Sequence, residues 1–337
     1  MSAHDPNSAS PILVADIGGT NARFALSSQV DGVPSLECVQ VLKCADFSSI
    51  DHAISHYLKQ SGLTDCSQAS FAVAGPVNQQ IVTVTNNHWS LDKEALPAKH
   101  GFERFKLVND FTAMALGTSS LDESRLAAVE PNHTRIVADH TKPRLVIGPG
   151  TGLGVSALVP VIGKKEQTTW IPLATEGGHI AFAPTDEYEL KILNYLQPRF
   201  GRVSVERLLC GEGLSNLYEA CTMIDTGQSA KRTPEDITSD ALSNDAGLAN
   251  RVVNLFCKIL GQVVGDATLL VGAQGGVYIC GGIVPRIITL FQQSEFRTAF
   301  EDKGRMHKFV ASTPTWIVTE PLTGLLGAAL ALDNPHV

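Results

Sequence analysis

The sequence predicts an α/β protein of two lobes, each built on a mixed β-sheet that carries helices, with a cleft between the lobes. The 337 residues exceed the usual size of a single hydrophobic core. In the first half, the apolar runs follow the order strand, strand, helix, strand, strand, strand and helix, which is typical of a mixed sheet. A glycine-tipped hairpin opens each half of the chain, which indicates a duplicated lobe.

Composition and charge exclude several classes of protein. Hydrophobic residues make up 44% of the chain and charged residues 18%, as in ordinary globular proteins. No apolar run is judged long enough to span a bilayer, so we expect no membrane contact. The formal net charge of −8 argues against a nucleic-acid binder, because neutralising phosphates requires a basic face. The first ten residues lack the regions of a signal peptide, so we expect a cytoplasmic protein with a frayed N-terminus.

The seven cysteines predict reduced, buried thiols. They show no C-x-x-C spacing and their number is odd, which favours neither a disulfide framework nor a structural zinc site. None of them is predicted to act as a nucleophile.

Apolar runs and turn residues locate the elements of the first half. Ile12–Ala15 and Ala22–Leu26 are predicted strands, and the glycine pair between them predicts a tight hairpin. Further along, the pattern predicts a helix at Ile50–Leu58 and strands at Ala69–Ala74 and Ile81–Thr85.

The second half repeats the hairpin and then becomes mostly helical. Leu145–Ile147 and Val155–Val161 are predicted strands on either side of a glycine-rich turn. Amphipathic spacing and cap residues predict helices at Asp186–Phe200, at Ser204–Leu209, from Thr233-Pro234 onward, and at Ala246–Val271 with interruptions at Gly261 and Gly265. A buried strand from Gly276 ends in a glycine pair, and a small-residue helix at Gly324–Leu332 could pack back on the first lobe.

The candidate catalytic residue lies at Asn109-Asp110, where the pattern changes from strand to helix. Leu107 and Val108 are typical of a buried strand, and helical spacing begins at Phe111. A carboxylate at such a turn can reach into a cleft. The alternative is that Asp110 only caps the helix by accepting backbone N–H bonds.

The turn Asp16–Asn21 is a candidate phosphate loop. Its glycine pair lets backbone N–H groups approach phosphate oxygens that a Cβ would hold away, and Thr20 and Asn21 add side-chain donors. Asp16 could hold water on a Mg²⁺ ion that bridges phosphates. A hairpin turn without a ligand is the alternative.

Residues Gly148–Gly154 form a second candidate ligand loop. Glycine occupies four alternate positions, which is more than a turn needs. The residues that follow are typical of a strand, which excludes a Rossmann fingerprint because that motif opens a helix. A G-x-x-x-x-G-K-[ST] loop is absent, so any nucleotide phosphates would be bound by backbone N–H groups, hydroxyls and metal.

Glu176-Gly177-Gly178-His179 combines a carboxylate and an imidazole beside two glycines, which suits hydrogen bonding to a polyhydroxyl ligand. The same pair is compatible with half of a metal site, or with a histidine satisfied within its own loop. Glu206 lies in the first turn of a predicted helix, where the helix dipole alone would explain it.

Six motifs resemble, in order, those of the bacterial glucokinase family: Asp16–Arg23, Asn109–Ala113, Gly148–Gly154, Glu176–His179, Ser204–Arg207 and Gly281–Arg286. The resemblance covers nearly the whole chain. It implies an α/β fold with two lobes of duplicated ribonuclease H-like, actin-like ATPase topology and an interlobe cleft. Residues 1–120 and 320–337 would form the small lobe and residues 121–319 the large lobe. It also implies transfer of the ATP γ-phosphate to the 6-hydroxyl of glucose, and a homodimer.

By matching position, the resemblance implies that Asp110 is the general base, that Asn109 is its sugar-binding neighbour, and that Asp16 holds Mg²⁺ through water. The remaining sugar ligands would be Glu176, His179 and Glu206. The nucleotide would be bound by Ala15, Asp16, Ile17, Gly18, Gly19, Thr20 and Asn21 in the first phosphate loop, by Gly148, Gly150, Thr151, Gly152 and Gly154 in the second, and by Gly281 and Gly282 against the adenosine. The related repressor/kinase sugar-kinase family carries a zinc-binding cysteine cluster after the equivalent histidine; none follows here, so no zinc is predicted.

Other functions stay open at this point. The same chemistry on another hexose or an amino sugar fits the motifs, because small changes in a pocket alter the choice of sugar. A non-catalytic sugar sensor would have lost the base or a phosphate loop, and all of them are present. A nucleotide-dependent chaperone or filament protein would leave the sugar-binding residues unexplained. No motif is found before Pro11 or between Glu123 and Pro143.

Overall fold

The structure is a computed structural model that describes residues 11–30, 32–63, 66–130, 137–163 and 168–337. The N-terminal stretch for which a frayed end was expected lies outside the described residues. So do residues 131–136 of the segment without a motif.

The fold is mixed α/β, as the sequence predicts. The strands are β1 (Ile12–Ile17), β2 (Asn21–Val30), β3 (Val33–Lys43), β4 (Gln68–Val73), β5 (Ile81–Thr83), β6 (Ser90–Asp92), β7 (Arg104–Asn109), β8 (Leu126–Ala128), β9 (Arg144–Pro149), β10 (Leu153–Ile162), β11 (Thr168–Ala174), β12 (Val277–Ile279) and β13 (Thr315–Val318). The helices are α1 (Ile50–Ser61), α2 (Ala95–His100), α3 (Asp110–Thr118), α4 (Glu187–Phe200), α5 (Gly211–Thr226), α6 (Pro234–Ser243), α7 (Leu248–Val271), α8 (Ile288–Gln293), α9 (Phe296–Glu301), α10 (His307–Ala311) and α11 (Thr323–Asp333).

The chain divides into two compact units. The first comprises Met1–Asp122, Val161–Ala174 and Glu320–Val337, and the second comprises Glu123–Pro160 and Thr175–Thr319. Val161–Ala174 thus groups with the first unit, whereas the division drawn from the sequence had assigned it to the larger lobe. The physical reason is β11, a strand without a clear sequence signal that packs beside α3.

The two main sheets repeat one arrangement of strands. In the order β3-β2-β1-β4-β7, strand β1 is antiparallel to β2 and parallel to β4, which in turn is parallel to β7. In the order β11-β10-β9-β12-β13-β8, strand β9 is antiparallel to β10 and parallel to β12, which in turn is parallel to β13. Each arrangement therefore begins with a glycine-tipped hairpin, at the positions where the sequence predicts one.

Helix α3, which begins at Asp110, crosses α11 at very short range within the first unit. A Cβ atom at Gly117 would lie 2.0 Å from the Thr323 carbonyl oxygen, and one at Gly327 would lie 1.6 Å from the Ala113 carbonyl oxygen. Glycine at both positions lets the two backbones touch. The predicted packing of the C-terminal helix on the first part of the chain is confirmed.

Helix α7 is central to the second unit. Among the described residues it is the one helix long and apolar enough to cross a membrane by length and composition alone, so the expectation that no stretch reaches that length was wrong. In the structure 67% of the apolar 18-residue stretch of this helix is buried, as in a core helix. The helix is also continuous, so Gly261 and Gly265 do not interrupt it. Glycine is needed at these two positions because both face the backbone of α9, where a side chain would not fit.

Two further expectations need correction. The helix predicted at Ser204–Leu209 is a short 3-10 turn, Val205–Arg207, and α5 begins only at Gly211. The helix dipole therefore does not account for Glu206. Strand β3 was not predicted because it forms a sheet edge, where half or more of its residues are exposed and the apolar alternation is weak.

All seven cysteines lie among the described residues, and none forms a disulfide. Six are buried and Cys38 is exposed. Burial raises the pKa of the Cys257 thiol to about 12, so it is protonated at neutral pH.

Candidate active site

The strand-to-helix turn at Asn109-Asp110 is capped by Asn109. The Asn109 Oδ1 atom accepts hydrogen bonds from the backbone N–H groups of Phe111 at 2.9 Å and Thr112 at 3.1 Å. The Asn109 Nδ2 atom donates to the Gly75 carbonyl oxygen at 3.1 Å. Asp110 occupies the first position of the helix and its Oδ1 atom accepts from the Phe111 N–H at 2.8 Å. The capping role considered for Asp110 thus belongs mainly to its neighbour.

The Asp110 carboxyl at this turn is affected by burial and by a second carboxylate, Asp16. Burial raises the pKa of Asp110 to about 6, the charge of Asp16 adds to the rise, and the hydrogen bond from the Phe111 N–H opposes it. Asp16 lies near the end of β1, where burial raises its pKa and the Arg23 guanidinium, 3.2 Å away, partly offsets that effect. A carboxyl group with a pKa near 6 is ionised at neutral pH and can still accept a proton readily.

The first candidate phosphate loop is a tight tip, Gly18-Gly19-Thr20, because β1 continues through Ile17 and β2 starts at Asn21. The Gly18 N–H donates to the Asn21 carbonyl oxygen at 3.0 Å and closes the turn. The backbone N–H groups of Gly19 and Thr20 donate to no residue among those described. Ala15 and Ile17 are fully buried in the sheet, so their side chains cannot contact a nucleotide.

The second candidate loop is also shorter than its glycine content suggests. Gly148 pairs with Gly154 in the ladder between β9 and β10, which leaves Gly150-Thr151-Gly152 as the tip. The four glycines at alternate positions all have negative φ, so left-handed backbone does not explain them. At Gly152 the reason is close approach, because a Cβ atom there would lie 2.6 Å from the Glu206 Oε2 atom.

Glu176, His179 and Glu206 come together in the second unit. The His179 Nδ1 atom is 3.9 Å from Glu206 Oε1, and the His179 Nε2 atom is 3.8 Å from Glu176 Oε2. Both distances exceed a hydrogen bond, so a ligand hydroxyl could bridge either pair. The side chains of Glu176 and His179 are 87% and 59% exposed, against 28% for Glu206.

Two contacts fix this cluster to the second hairpin. The Glu206 Oε2 atom accepts a hydrogen bond from the Leu153 N–H at 2.9 Å, at the start of β10. A Cβ atom at Gly178 would lie 2.2 Å from the Leu153 carbonyl oxygen, so the turn that carries His179 presses directly on the same residue. Part of a metal site was the alternative for Glu176 and His179. Among the described residues, no group of three or more His, Cys, Asp or Glu side chains is placed to hold a metal ion.

Gly281 lies against the end of β9. It has φ of +83°, and a Cβ atom there would lie 2.4 Å from the Pro149 carbonyl oxygen, whereas Gly282 has open space around it. The glycine pair therefore adjoins the second tip, within the same unit.

A cavity of about 480 Å³ adjoins that tip, and no sequence motif had indicated it. The Gly211 N–H donates to the Gly150 carbonyl oxygen at 2.9 Å, and Pro234 lies beside Gly211 and lines the cavity. The remaining lining residues are mostly polar: Arg199, Glu212, Ser215, Asn216, Glu219, Lys231, Arg232, Thr233 and Asp236. The only signal for this region was the helix start at Thr233-Pro234.

Comparison with known proteins gives one consistent result. A family model described as Glucokinase matches residues 13–335. The chain is 50% identical over 325 residues to a glucokinase of Hahella chejuensis (strain KCTC 2396) and 48% identical over 325 residues to a glucokinase of Marinobacter nauticus (strain ATCC 700491 / DSM 11845 / VT8), each time covering 96% of this chain and 98% of the relative. Among solved structures it is similar to a glucokinase from an Antarctic psychrotroph, with a TM-score of 0.85, 34% identity, and coverage of 97% of this chain and 99% of that one.

Proposed function

The chain belongs to the glucokinase family, and we propose that Asp110 is the general base of its reaction. The enzyme transfers the γ-phosphate of ATP to the 6-hydroxyl of glucose, giving glucose 6-phosphate and ADP. The observation that carries the proposal is the turn at Asn109-Asp110. There the neighbouring residue caps the helix, and burial raises the pKa of the Asp110 carboxyl to about 6.

In the proposed reaction the 6-hydroxyl oxygen of glucose attacks the γ-phosphorus in line. Its proton moves to the Asp110 carboxylate as the new oxygen–phosphorus bond forms. The bond from the γ-phosphorus to the bridging oxygen breaks, and ADP leaves with the electron pair. Positioning of the two substrates supplies most of the acceleration, as is usual for phosphoryl transfer.

The sugar hydroxyls are bound by Glu176, His179 and Glu206 in this proposal. Their mutual distances of 3.8 and 3.9 Å support it, because polar groups held just beyond hydrogen-bond range can each bond to an intervening hydroxyl. Asn109 has a narrower role than its position suggests. Its Oδ1 atom already accepts two backbone N–H groups, so it contacts glucose only through the second hydrogen on Nδ2.

The phosphates are bound by the tips Gly18–Thr20 and Gly150–Gly152. A Mg²⁺ ion held through water by Asp16 fits the residues present, because burial disfavours charge on both Asp16 and Asp110 and a nearby cation would relieve that cost. The small number of carboxylates also fits, since Mg²⁺ is usually held by one or two of them together with substrate phosphates. When bound, the ion supplies neutralisation of phosphate charge.

The adenosine occupies the 480 Å³ cavity beside the second tip. A continuous series of contacts supports this assignment: Gly281 lies on Pro149, the Gly150 carbonyl accepts from Gly211, and Gly211 lies against Pro234 on the cavity wall. Asn216 on that wall is 2% exposed, and its Nδ2 atom donates to the Arg207 carbonyl. Its Oδ1 atom is then an acceptor for the amino group of the base. Asn216→Leu, which removes that acceptor, should raise the KM for ATP and leave glucose binding unchanged.

Three broader features are part of the same proposal. The duplicated two-lobe ribonuclease H-like architecture with its cleft is supported by the strand order that occurs twice. A homodimer and a cytoplasmic location follow from the family resemblance.

The test is ADP release that depends on both glucose and ATP, with Mg²⁺ present. Fructose, mannose and N-acetylglucosamine are run beside glucose, and Asp110→Asn beside the wild type. A general base contributes about 10²- to 10⁴-fold, so the variant should lose that much kcat while its glucose affinity stays within a few-fold. Asp51→Asn, which changes an acid in the first turn of α1, is the matched control and should keep full activity. Near-normal turnover in Asp110→Asn would remove Asp110 from the mechanism, and faster turnover of another sugar would change the preferred substrate.

A further inference from the structure

The tip Gly18–Thr20 is hydrogen-bonded through its carbonyl groups to two other segments of the first unit. The Gly18 carbonyl oxygen accepts a hydrogen bond from Asn87 Nδ2 at 3.0 Å, and the Cys44 thiol contacts the same oxygen at 3.8 Å. The Thr20 carbonyl oxygen accepts from the Cys44 N–H at 2.9 Å. The carbonyl groups of Gly18 and Thr20 are therefore occupied, whereas the N–H groups of Gly19 and Thr20 donate to no described residue.

The Asn87 side chain is fixed in both directions. Its Nδ2 atom donates to Gly18, and its Oδ1 atom accepts from the Trp89 N–H at 3.0 Å. The backbone N–H of Asn87 donates in turn to the Val84 carbonyl at 3.2 Å. An amide that has a donor partner on one side and an acceptor partner on the other cannot rotate without losing both bonds.

The turn that carries Asn87 is anchored in the core. Trp89 is 1% exposed, and its Nε1 atom donates to the Phe47 carbonyl at 3.1 Å. The same turn touches the tip directly, since a Cβ atom at Gly19 would lie 3.1 Å from the Asn86 Cβ atom. Asn86 itself has φ of +57°, a left-handed conformation that asparagine adopts more readily than most residues.

An open cavity of about 780 Å³ borders this arrangement. Its walls include Gly19, Thr20 and residues 83–88, so a ligand in it could reach the tip. Residues 86–88 belong to none of the six sequence motifs, and neither the sugar-binding residues nor the proposed base includes them.

We propose that Asn87 is a positioning residue, which holds the Gly18 carbonyl so that the N–H groups of Gly19 and Thr20 point at a phosphate. This inference rests on the proposed role of the tip as a phosphate loop. Backbone donors bind an anion well only when their direction is set before the ligand arrives. The bond to Gly18 sets that direction from a rigid part of the core.

The test is the variant Asn87→Asp, which keeps the acceptor for the Trp89 N–H and loses the donor to Gly18. Loss of one orienting hydrogen bond should raise the KM for ATP about tenfold. Glucose binding, measured without nucleotide as thermal stabilisation by glucose, should stay within twofold and also reports that the variant is folded. Asn87→Ser serves as the second variant and should also raise the KM for ATP.

Asn334→Asp is a matched control in the same unit. The Asn334 Nδ2 atom donates to the Trp170 carbonyl at 2.8 Å, and its Oδ1 atom accepts from the His336 N–H at 2.9 Å, which is the bonding pattern of Asn87 at a site outside the tip. Asn334→Asp should leave both substrates unaffected. An equal effect on ATP from both asparagines would indicate general loosening and overturn the inference.

Thr20→Val separates the inference from the function on which it rests. If Thr20→Val raises the KM for ATP and Asn87→Asp does not, the tip binds phosphate but Asn87 does not position it, and the inference fails. If neither variant changes the KM for ATP, the tip is not a phosphate loop and both proposals fail. A higher KM for ATP in both variants supports both the phosphate-binding role of the tip and the positioning role of Asn87.

Discussion

Asn109 caps the helix that Asp110 begins, so two adjacent polar residues divide two tasks. Asn109 satisfies the free N–H groups of Phe111 and Thr112. Asp110 is left at the N-terminus of α3, where the helix dipole favours its charge while burial and the Asp16 carboxylate oppose it. The result is an ionised but basic carboxylate on a rigid support.

The pKa of Asp110 predicts an acidic limb in the pH profile of the enzyme. Since burial raises this pKa to about 6, kcat/KM for glucose at saturating ATP should be constant above pH 7 and fall with a slope of one proton below pH 6. Histidine is the residue type that ordinarily titrates in this range, so His179→Gln is the control. This variant should keep the acidic limb, because the limb is assigned to Asp110. A flat profile from pH 5 to pH 8 in the wild type would contradict the assignment.

The same pKa predicts that the Asp110 charge costs stability. Its folded-state value, about 6, exceeds the ordinary value of 3.8, so the folded protein binds more protons between these values and its stability falls as pH rises through them. The full cost is about 3 kcal/mol above pH 7.

Asp110→Asn removes that charge, so it should raise the free energy of unfolding by up to about 3 kcal/mol at pH 8, and by about half as much at pH 5. Urea unfolding without ligands at the two pH values measures this. Asp51→Asn should show no such pH-dependent gain. A destabilised Asp110→Asn at pH 8 would show that the carboxylate is favoured in the fold.

The sequence predicted the turns that carry the candidate residues better than it predicted the contacts between those residues. The turn at Asp110, both hairpins and the cluster of Glu176 with His179 follow from local patterns, because strand ends, glycine pairs and changes of period are encoded over a few residues. The division between Asn109 and Asp110 could not be read, since either side chain can cap a helix.

Long-range contacts account for what the sequence did not predict. The glycine content of residues 148–154 predicted a ligand loop but not the neighbour that requires Gly152, which is Glu206, more than fifty positions away in the chain. Strand β11 and the bond from Asn87 to Gly18 depend in the same way on packing between distant segments. No local pattern distinguishes them from ordinary loop residues.

The crossing of α3 and α11 should tolerate no side chain at Gly327. A Cβ atom there would lie 1.6 Å from the Ala113 carbonyl, so Gly327→Ala must separate the two helices. We expect a loss of about 2 kcal/mol or more in the free energy of unfolding, measured by urea denaturation. Gly211→Ala is the control. A Cβ atom there would lie 3.7 Å from its nearest heavy atoms, so this substitution should leave the free energy of unfolding nearly unchanged. Equal stability of the two variants would mean that the helices can shift apart at little cost.

Glu206 has two possible functions, and one substitution can separate them. Its Oε2 atom accepts the Leu153 N–H, which supports the second tip, and its Oε1 atom lies 3.9 Å from His179, where a sugar hydroxyl would bind. Glu206→Gln keeps an acceptor for Leu153 but removes the charge.

A hydrogen bond to a charged group is worth about 1 kcal/mol more than a neutral one, so Glu206→Gln should raise the KM for glucose about five- to tenfold with kcat nearly unchanged. Steady-state kinetics with each substrate varied in turn measures this, and Glu187→Gln, an exposed acid in the first turn of α4, is the control. An increase confined to the KM for ATP would indicate that Glu206 acts only through Leu153 and the tip. In that case the sugar would be bound by Glu176 and His179 without it.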